Sequence, residues 1–530
     1  MLKRIPTTMH GPNHKWWALG TACIGILMAT LDSGMISVSL PTIMSHFQAG
    51  IQTVQWVVLA YLLTITVTLL SFGRLADMMG RKLIYSVGIL IFAIGSALCG
   101  TSSSAELLIA FRVFEAVGAS MIMANSMAIA SAVFPPKERG MALGIIGTVV
   151  ATGVTLGPSI GGVLTEWLGW QSVFFLNLPL GVIGVTMGLV VLRDEEISPL
   201  ISGRRPQFDF AGAFIAGFGL FALMMALARS KQTGESWEIS MGLYVFALLA
   251  LSAFIVVEQR VRDPLIDLSL FRRQLFALGS ASGLLMFLAV SANMFLMPFY
   301  LQLVLGFPPS KAGLMMVPTS IALGLIAPFS GWLSDRMGAR LLSTIGILLA
   351  SLALFSLGRL EANSGYGDVL LRLVLLGLGQ GLFQSPNNSS VIGAVPRERY
   401  GVASGFLSMM RNLGMVMGAA LASNLLVAAI AEKAGNLNLD SLRTAGAADN
   451  GLLLSGFMSG MQQAYTVAAI LAAAGIIASL SRGGSFRPGH AGVDGRPSDR
   501  PIESPAGVNA QTSRHAPVAG GPDRSGQVLD

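Results

Sequence analysis

Long apolar runs separated by short charged loops dominate this sequence of 530 residues. A run of about 20 apolar residues is long enough to cross the hydrocarbon core of a bilayer as a helix. Only 12% of the residues are charged, whereas a soluble domain carries roughly 25%. The sequence therefore predicts an all-α integral membrane protein.

Fourteen apolar segments are predicted to cross the membrane. The first, residues 17–40, is longer than the apolar core of a cleaved signal peptide, so we interpret it as a retained first helix. The other segments lie near residues 54–73, 83–101, 105–133, 141–165, 171–192, 209–228, 239–257, 274–302, 312–334, 341–358, 368–390, 401–431 and 461–481.

The positions of Lys and Arg predict how the chain is oriented in the membrane. If the N-terminus is inside, the inner loops hold most of the basic residues and the first three outer loops hold none. This asymmetry follows the positive-inside rule and predicts a multi-pass protein of the cell (inner) membrane with both termini cytoplasmic. It also accounts for the net charge of +7 without nucleic acid as a partner.

The chain contains an internal repeat. The matching segments are Gly73–Arg81 with Gly331–Arg340, Glu138–Gly144 with Glu398–Gly405, and Pro41 with Pro298. Three matches at nearly one offset predict two pseudo-symmetric six-helix bundles in a parallel repeat, with two helices inserted between them.

This repeat divides the chain into four predicted regions. They are an N-terminal bundle (1–192), a two-helix insertion with linkers (193–273), a C-terminal bundle (274–481) and a tail (482–530). The tail is rich in Gly, Pro, Ser and Arg and poor in large apolar residues, so we expect a disordered cytoplasmic segment.

Four motifs resemble those of the major facilitator superfamily, and more narrowly its fourteen-helix drug:proton antiporter branch of the EmrB/QacA type. They are Leu31-Asp32 with Leu40-Pro41 in helix 1, Gly73–Lys82 after helix 2, Arg112–Gly118 in helix 4, and Gly153–Gly162 in helix 5. The resemblance covers about residues 15–481. It implies export by alternating access in exchange for protons, because the superfamily associates the helix 5 motif with exporters.

Three charged residues are predicted to couple protons to transport. Asp32 lies nine residues before Pro41, about 13 Å below the outer end of its helix, and Arg112 lies about 10 Å below the same surface. Glu115, where the family motif has glutamine, is one turn from Arg112 on the same helix face. We expect Asp32 and Arg112 to face each other, and a proton relay through the three groups competes with a permanent ion pair.

The loop after helix 2 is predicted to control the inner face. Gly73, Asp77, Gly80 and Arg81 belong to the complete inter-helix motif, and Asp77 with Arg81 and with Arg139 is expected to latch the inner face shut. The competing interpretation is that these charges only set topology. The complete motif favours a stand-alone pump over one that works with a periplasmic adaptor protein.

Helix 5 carries small residues at helical spacing. Gly153, Gly157 and Gly161 recur every four residues, with Pro158 and Gly162 beside them. A glycine stripe allows close helix approach, and the proline removes a backbone donor. The pattern predicts a pliable seam between the two halves, or else ordinary small-residue packing.

The C-terminal half has no carboxylate deep in a predicted helix. Its deep polar residues include Asn293, Gln384, Asn387, Asn388 and Arg411. These are predicted to bind substrate or, equally, to bond neighbouring helices. We expect Arg411 to receive an anionic group or a helix carbonyl.

Together these features predict a proton-coupled antiporter that exports small lipophilic compounds, as in multidrug efflux. No nucleotide-binding loop, catalytic triad or metal-ligand spacing occurs, so we predict neither an enzyme nor a cofactor. An exporter of one metabolite, such as an antibiotic or siderophore, remains an alternative, and a non-transporting membrane sensor is a remote one.

Overall fold

The computed structural model describes residues 13–135, 138–193, 209–228, 237–261, 268–395, 400–434 and 447–482. The regular structure of these residues is helical, with no strand among them. The predicted tail lies outside the described residues from residue 483 onward.

Seven helices form the N-terminal half. They are α1 His14–Phe47, α2 Ile51–Met79, α3 Arg81–Gly100, α4 Ala105–Val133, α5 Arg139–Leu168, α6 Gln171–Phe175 and α7 Asn177–Val191. The short α6 continues almost directly into α7, so the two together make one membrane-length segment, Gln171–Val191.

Eight further α-helices follow. They are α8 Phe210–Ala228, α9 Trp237–Glu258, α10 Gln274–Phe299, α11 Pro309–Met337, α12 Ala339–Leu357, α13 Tyr366–Gly393, α14 Tyr400–Ala434 and α15 Ala447–Leu480. A π-helical turn, Tyr300–Val304, extends α10.

Thirteen helical segments of the described chain are long and apolar enough to cross a membrane. Within α8, Ala211–Leu223 is a shorter apolar helix, so the count of fourteen stays a prediction. Large apolar side chains are exposed on the outside of the bundle, for example Leu248 at 68% and Leu249 at 64% on α9. Lipid contact explains such exposure in a multi-pass membrane protein.

The helices of the two halves pack with the same pattern of neighbours. In the N-terminal half α1 packs on α5, α3 on α4, and α2 on α4; in the C-terminal half α10 packs on α14, α12 on α13, and α11 on α13. The halves meet where α5 packs on α11 and α2 packs on α14. The helices α8 and α9, which the sequence predicts to be an insertion, pack on each other, and α8 also contacts α2 and α14.

The inter-helix motif adopts the same backbone conformation in both halves. Gly80 separates α2 from α3 with φ 100°, and Gly338 separates α11 from α12 with φ 89°. A positive φ favours glycine, since other residues pay a steric cost there. The repeated glycine thus allows the same tight connection to occur twice.

Candidate functional site

Asp32 and Arg112 meet in the interior of the N-terminal half. Asp32 lies on α1 and Arg112 on α4. The Nη1 atom of Arg112 donates to Oδ2 of Asp32 over 2.7 Å, and the two side chains are 0% and 1% exposed. The ion pair is therefore sealed from water on every side.

Glu115 completes a buried cluster of three charged groups. The same Nη1 of Arg112 donates to Oε2 of Glu115 over 2.7 Å, and Glu115 is fully buried. Cys99 donates its thiol to the same oxygen over 3.5 Å, while Oε1 of Glu115 has no hydrogen-bond partner in the described part of the chain. One cation therefore serves two carboxylates, and one carboxylate oxygen remains unsatisfied.

Aromatic and backbone groups hold the Arg112 guanidinium in place. Its Nε donates to the carbonyl of Val57 over 3.2 Å. The ring of Tyr61 lies 3.9 Å from the guanidinium carbon, and that of Phe174 lies 5.8 Å from it. Such contacts stabilise a desolvated cation through the ring quadrupole.

Asn177 fixes Asp32 from the opposite side. Its Nδ2 donates to Oδ1 of Asp32 over 3.2 Å and to Oγ of Ser96 over 2.9 Å. The sequence analysis did not place Asn177, Tyr61 or Ser96 at the site. Nothing in the local sequence signals these contacts, because they join helices distant in the chain.

The charge balance of this cluster favours uptake of one proton. With both carboxylates ionised, Asp32, Arg112 and Glu115 carry a net charge of −1. A net charge buried away from water is costly, and protonation of one carboxylate removes it. The arrangement can therefore hold or release a proton while the arginine keeps a partner in both states.

Among the described residues, the C-terminal half has no equivalent of this cluster. The packing of Gly118 against α3 is repeated by Gly379 against α12. With these two glycines aligned, Leu373 and Leu376 occupy the positions equivalent to Arg112 and Glu115. With Pro298 aligned to Pro41, Ala289 occupies the position equivalent to Asp32. All three of these residues are fully buried, so the equivalent helices of this half pack together through apolar side chains.

The inter-helix motif forms a local ion pair. The Nη2 of Arg81 lies 2.9 Å from Oδ1 of Asp77, and Nη1 of Arg81 donates to the carbonyl of Ala128 over 3.3 Å. A Cβ at Gly73 would lie 3.9 Å from Cβ of Ala124, an ordinary van der Waals distance. Arg139 begins α5, and its side chain lies outside the described part of the chain.

The helix 5 glycines pack mainly within their own half. A Cβ at Gly157 would lie 2.8 Å from Cα of Gly34, and one at Gly161 would lie 2.5 Å from Cα of Met35, both on α1. Gly153 similarly faces Thr30 of α1.

Two neighbours in the helix 5 motif contact the other half. Gly162 packs on the carbonyl of Pro309, and the carbonyl of Pro158 packs on Gly313. The motif thus joins α5 to α1 on one side and to α11 on the other.

Enlarging a stripe glycine is expected to destabilise the fold. Gly157→Leu forces α5 away from α1, and overpacking of this kind costs about 1–3 kcal/mol or more. The apparent Tm of the purified protein in detergent measures the loss. Gly147→Leu on the same helix is the matched control, since no atom lies within 4 Å of a Cβ there. Equal Tm values for the two variants would contradict this packing argument.

Three hydrogen bonds between described residues join the two halves. Gln302 donates to the carbonyl of Val38 over 2.8 Å, and Gln55 donates to that of Ala419 over 3.0 Å. The backbone N–H of Ser310 donates to Oε2 of Glu166 over 3.1 Å. These bonds lie toward the end of the bundle where α5 finishes and α11 begins, so the halves are fastened together there.

The polar residues of the C-terminal half separate into two groups. Asn293 accepts a hydrogen bond from the Tyr465 hydroxyl over 3.0 Å, and Asn387 accepts one from the Nη2 of Arg482. Burial lowers the pKa of Arg482 to about 10, so this guanidinium remains charged at neutral pH. These two asparagines therefore hold helices together, and Arg482, the first residue of the predicted tail, is buried against the bundle.

Gln384 is available for a ligand. With Gln380 it lines a small cavity between α10 and α13, whose wall is otherwise apolar: Met286, Phe287, Val290 and Phe383. Asn388 is partly buried on the same helix, and Arg411 is partly buried on α14. Among the described residues no group of three or more His, Cys, Asp or Glu side chains could hold a metal ion.

Comparison with known proteins identifies relatives across most of the chain. The family profile described as Major Facilitator Superfamily matches residues 22–419. The Riboflavin transporter RibZ of Clostridioides difficile (strain 630) is 37% identical over 410 residues, which are 77% of this chain and 88% of the relative.

Two other relatives are exporters or resistance proteins by name. The Tetracenomycin C resistance and export protein of Streptomyces glaucescens is 31% identical over 418 residues, 79% of this chain and 77% of the relative. Multidrug resistance protein Stp of Mycobacterium tuberculosis (strain CDC 1551 / Oshkosh) is 34% identical over 406 residues, 76% of this chain and 74% of the relative.

A solved structure shares the fold. It is a bacterial homolog of the human lysosomal transporter Spinster in an inward-facing and unoccupied conformation. The TM-score is 0.63 at 18% identity, over 88% of this chain and 98% of the other.

Proposed function

Since the chain belongs to the Major Facilitator Superfamily, and is thus a transporter rather than an enzyme, we propose that it is a proton-coupled antiporter that exports small lipophilic compounds. The observation that carries the proposal is the buried cluster in which Arg112 serves both Asp32 and Glu115. Relatives named for multidrug resistance and for antibiotic export support the direction of transport.

Proton binding would act on the transport cycle through Arg112. When one carboxylate of the cluster is protonated, Arg112 pairs with the other. Protonation therefore changes the strength of the ion pair that joins α1 to α4, and with it the relative energy of two arrangements of these helices. A ligand or proton shifts a conformational equilibrium only by its differential affinity for the two states. The cluster supplies that difference because its net charge changes with each proton.

The membrane potential provides enough energy for such a cycle. One charge that crosses 100 mV releases about 2.3 kcal/mol. At about 1.4 kcal/mol per decade, this supports roughly a fiftyfold substrate gradient for each net charge moved.

The contacts between the halves support an alternating-access cycle. With the N-terminus in the cytoplasm, the end fastened by Gln302, Gln55 and Ser310 is the outer end. This conformation is then closed outward. We place the protein in the cell inner membrane with both termini cytoplasmic, as a fourteen-helix member of the drug:proton antiporter branch that works without an adaptor protein.

Transport in inside-out vesicles tests the proposal. An acidic lumen is expected to drive rhodamine 123 into wild-type vesicles, and Asp32→Asn is expected to reduce this initial rate at least about tenfold, because the arginine then keeps only one carboxylate. Vesicles with collapsed pH gradient and potential are the control. If folded wild-type protein takes up the dye at the same rate with and without the pH gradient, proton coupling is excluded.

An exporter of a single metabolite is the second candidate. The similarity to a riboflavin transporter favours it, as do the two glutamine amides in an otherwise apolar cavity. Competition separates the candidates. If riboflavin blocks rhodamine 123 uptake and structurally unrelated dyes do not, the site is narrow; if many lipophilic dyes compete, it is broad.

A further inference from the structure

Arg411 is an unneutralised cation in the interior of the C-terminal half. It lies in the candidate membrane span Gly405–Lys433, six residues and therefore about 9 Å from the start of that span. Its side chain is partly buried rather than sealed. A charge at this depth is costly and marks a functional position by default.

Arg411 forms no ion pair and no hydrogen bond with any residue in the described ranges. Other interior arginines of the described chain have partners. Arg112 serves two carboxylates, and Arg372 pairs with Asp368 at 3.0 Å. A guanidinium has five N–H donors and no acceptor. None of the donors of Arg411 is bonded to a described residue, so they are free to bind an acceptor on a ligand.

No acidic side chain of the C-terminal spans is placed to neutralise Arg411. The spans of this half contain only two acidic residues, Asp368 and Glu432. Asp368 is engaged by Arg372, and Glu432 lies on the same helix as Arg411 but about 30 Å away along its axis. A helix carbonyl, the other acceptor expected from the sequence, does not bond Arg411 either.

Arg411 lies one helical turn from a residue that packs on the cavity wall. Gly414, one turn along α14, packs on the backbone of Leu284 and Leu288 and on Phe287 of α10. Residues three apart share a helix face, so Arg411 is on the side of α14 that faces α10. Phe287 is itself part of the cavity wall, together with Gln384 of α13.

We propose that Arg411 binds an anionic group of the transported compound, so that the substrates are lipophilic compounds that carry a carboxylate or a comparable acid. The apolar side chains of the cavity wall contact part of such a compound, the glutamine amides bond its polar atoms, and the guanidinium pairs with its acid. An arginine pairs well with a carboxylate because its planar fork matches two oxygens. This inference rests on the proposed export function and adds the substrate class.

A pair of dyes that differ in one group tests the inference. Rhodamine 110 has a free carboxylate, and rhodamine 123 is its methyl ester. In the vesicle assay the wild type is expected to transport the acid with a kcat/KM at least about tenfold above that of the ester, and Arg411→Gln is expected to bring the ratio close to one. Arg411→Lys, which keeps the charge, should restore part of the preference.

The control variant is Arg372→Gln. It removes a cation from the same half, but one that already has a carboxylate partner, so the ratio of the two dyes should stay at the wild-type value. A wild-type ratio of one or less overturns the inference without reference to any variant. A high ratio that persists in Arg411→Gln overturns the role of Arg411.

The outcomes also separate this inference from the proposed function. If the pH gradient drives neither dye, proton-coupled export is wrong. If the gradient drives the ester and the acid equally, export stands and the substrate class is wrong.

Discussion

Replacing the charged cluster by the residues of the other half is expected to give a folded protein that has lost proton-driven transport. The variant Asp32→Ala/Arg112→Leu/Glu115→Leu carries the apolar residues found at the matching positions, Ala289, Leu373 and Leu376. Since those residues are fully buried in their own half, the same helix packing accepts them. Export driven by a pH gradient is expected to fall to the background of empty vesicles.

The single substitution Arg112→Leu is expected to be far more damaging to stability than the triple one. It leaves Asp32 and Glu115 buried with no cation, and breaking a buried ion pair in this way costs about 3–5 kcal/mol. Replacing a whole buried ionic group by apolar residues is often neutral or stabilising. The apparent Tm in detergent should therefore rank the triple variant well above Arg112→Leu.

A third variant controls for the leucine itself. Asp32→Asn/Arg112→Leu/Glu115→Gln keeps the shape of both acids but removes their charge, and its Tm should recover most of the loss caused by Arg112→Leu. If all three variants unfold at the same temperature, the cluster does not act as one electrostatic unit, and its stability comes from packing around Arg112.

Helix geometry alone predicted part of the cluster. The 1.5 Å rise per residue placed Asp32 and Arg112 at similar depths, and the three-residue spacing placed Glu115 beside Arg112. These quantities are local to one helix or follow from a shared membrane surface. Asn177 and Tyr61 could not be found in this way, because their contacts depend on how four helices rotate about their own axes.

The same limit applies to the glycine stripe of α5. The spacing of Gly153, Gly157 and Gly161 predicted a close helix approach, and close contacts are present, but the pattern does not say which helix approaches. The stripe faces α1 of its own half, while the contact with the other half goes through Gly162 and Pro158. A small-residue pattern predicts that another helix approaches closely, but it does not predict which helix this is.

The polar residues of the C-terminal half show a related limit. The sequence placed Asn293, Asn387 and Gln384 in one group, since each is a deep amide. The structure separates them by their neighbours: a tyrosine hydroxyl bonds Asn293, an arginine bonds Asn387, and Gln384 lines a cavity. Whether an amide remains open to a ligand depends on which side chains of other helices lie beside it, and the local sequence does not specify them.

The substitution Glu115→Gln is expected to separate substrate exchange from proton coupling. Glutamine copies the shape of the protonated acid and keeps an oxygen that can accept from Arg112, so the fold and the substrate cavity should persist. Exchange of labelled for unlabelled rhodamine 123 without a gradient is then expected to continue within a few-fold of wild type. Accumulation driven by a pH gradient is expected to fall at least about tenfold.

The exchange reaction needs no net proton transfer, whereas accumulation does. Asp32 has a second partner in Asn177, but Oε1 of Glu115 has none, so Glu115 is the carboxylate whose ionised form is less well satisfied and whose protonation relieves the net charge. Glu106→Gln on the same helix is the matched control, since that side chain is exposed and both assays should keep their wild-type values. If Glu115→Gln accumulates dye as the wild type does, the proton is carried on Asp32, and Glu115 serves only to hold Arg112 against α4.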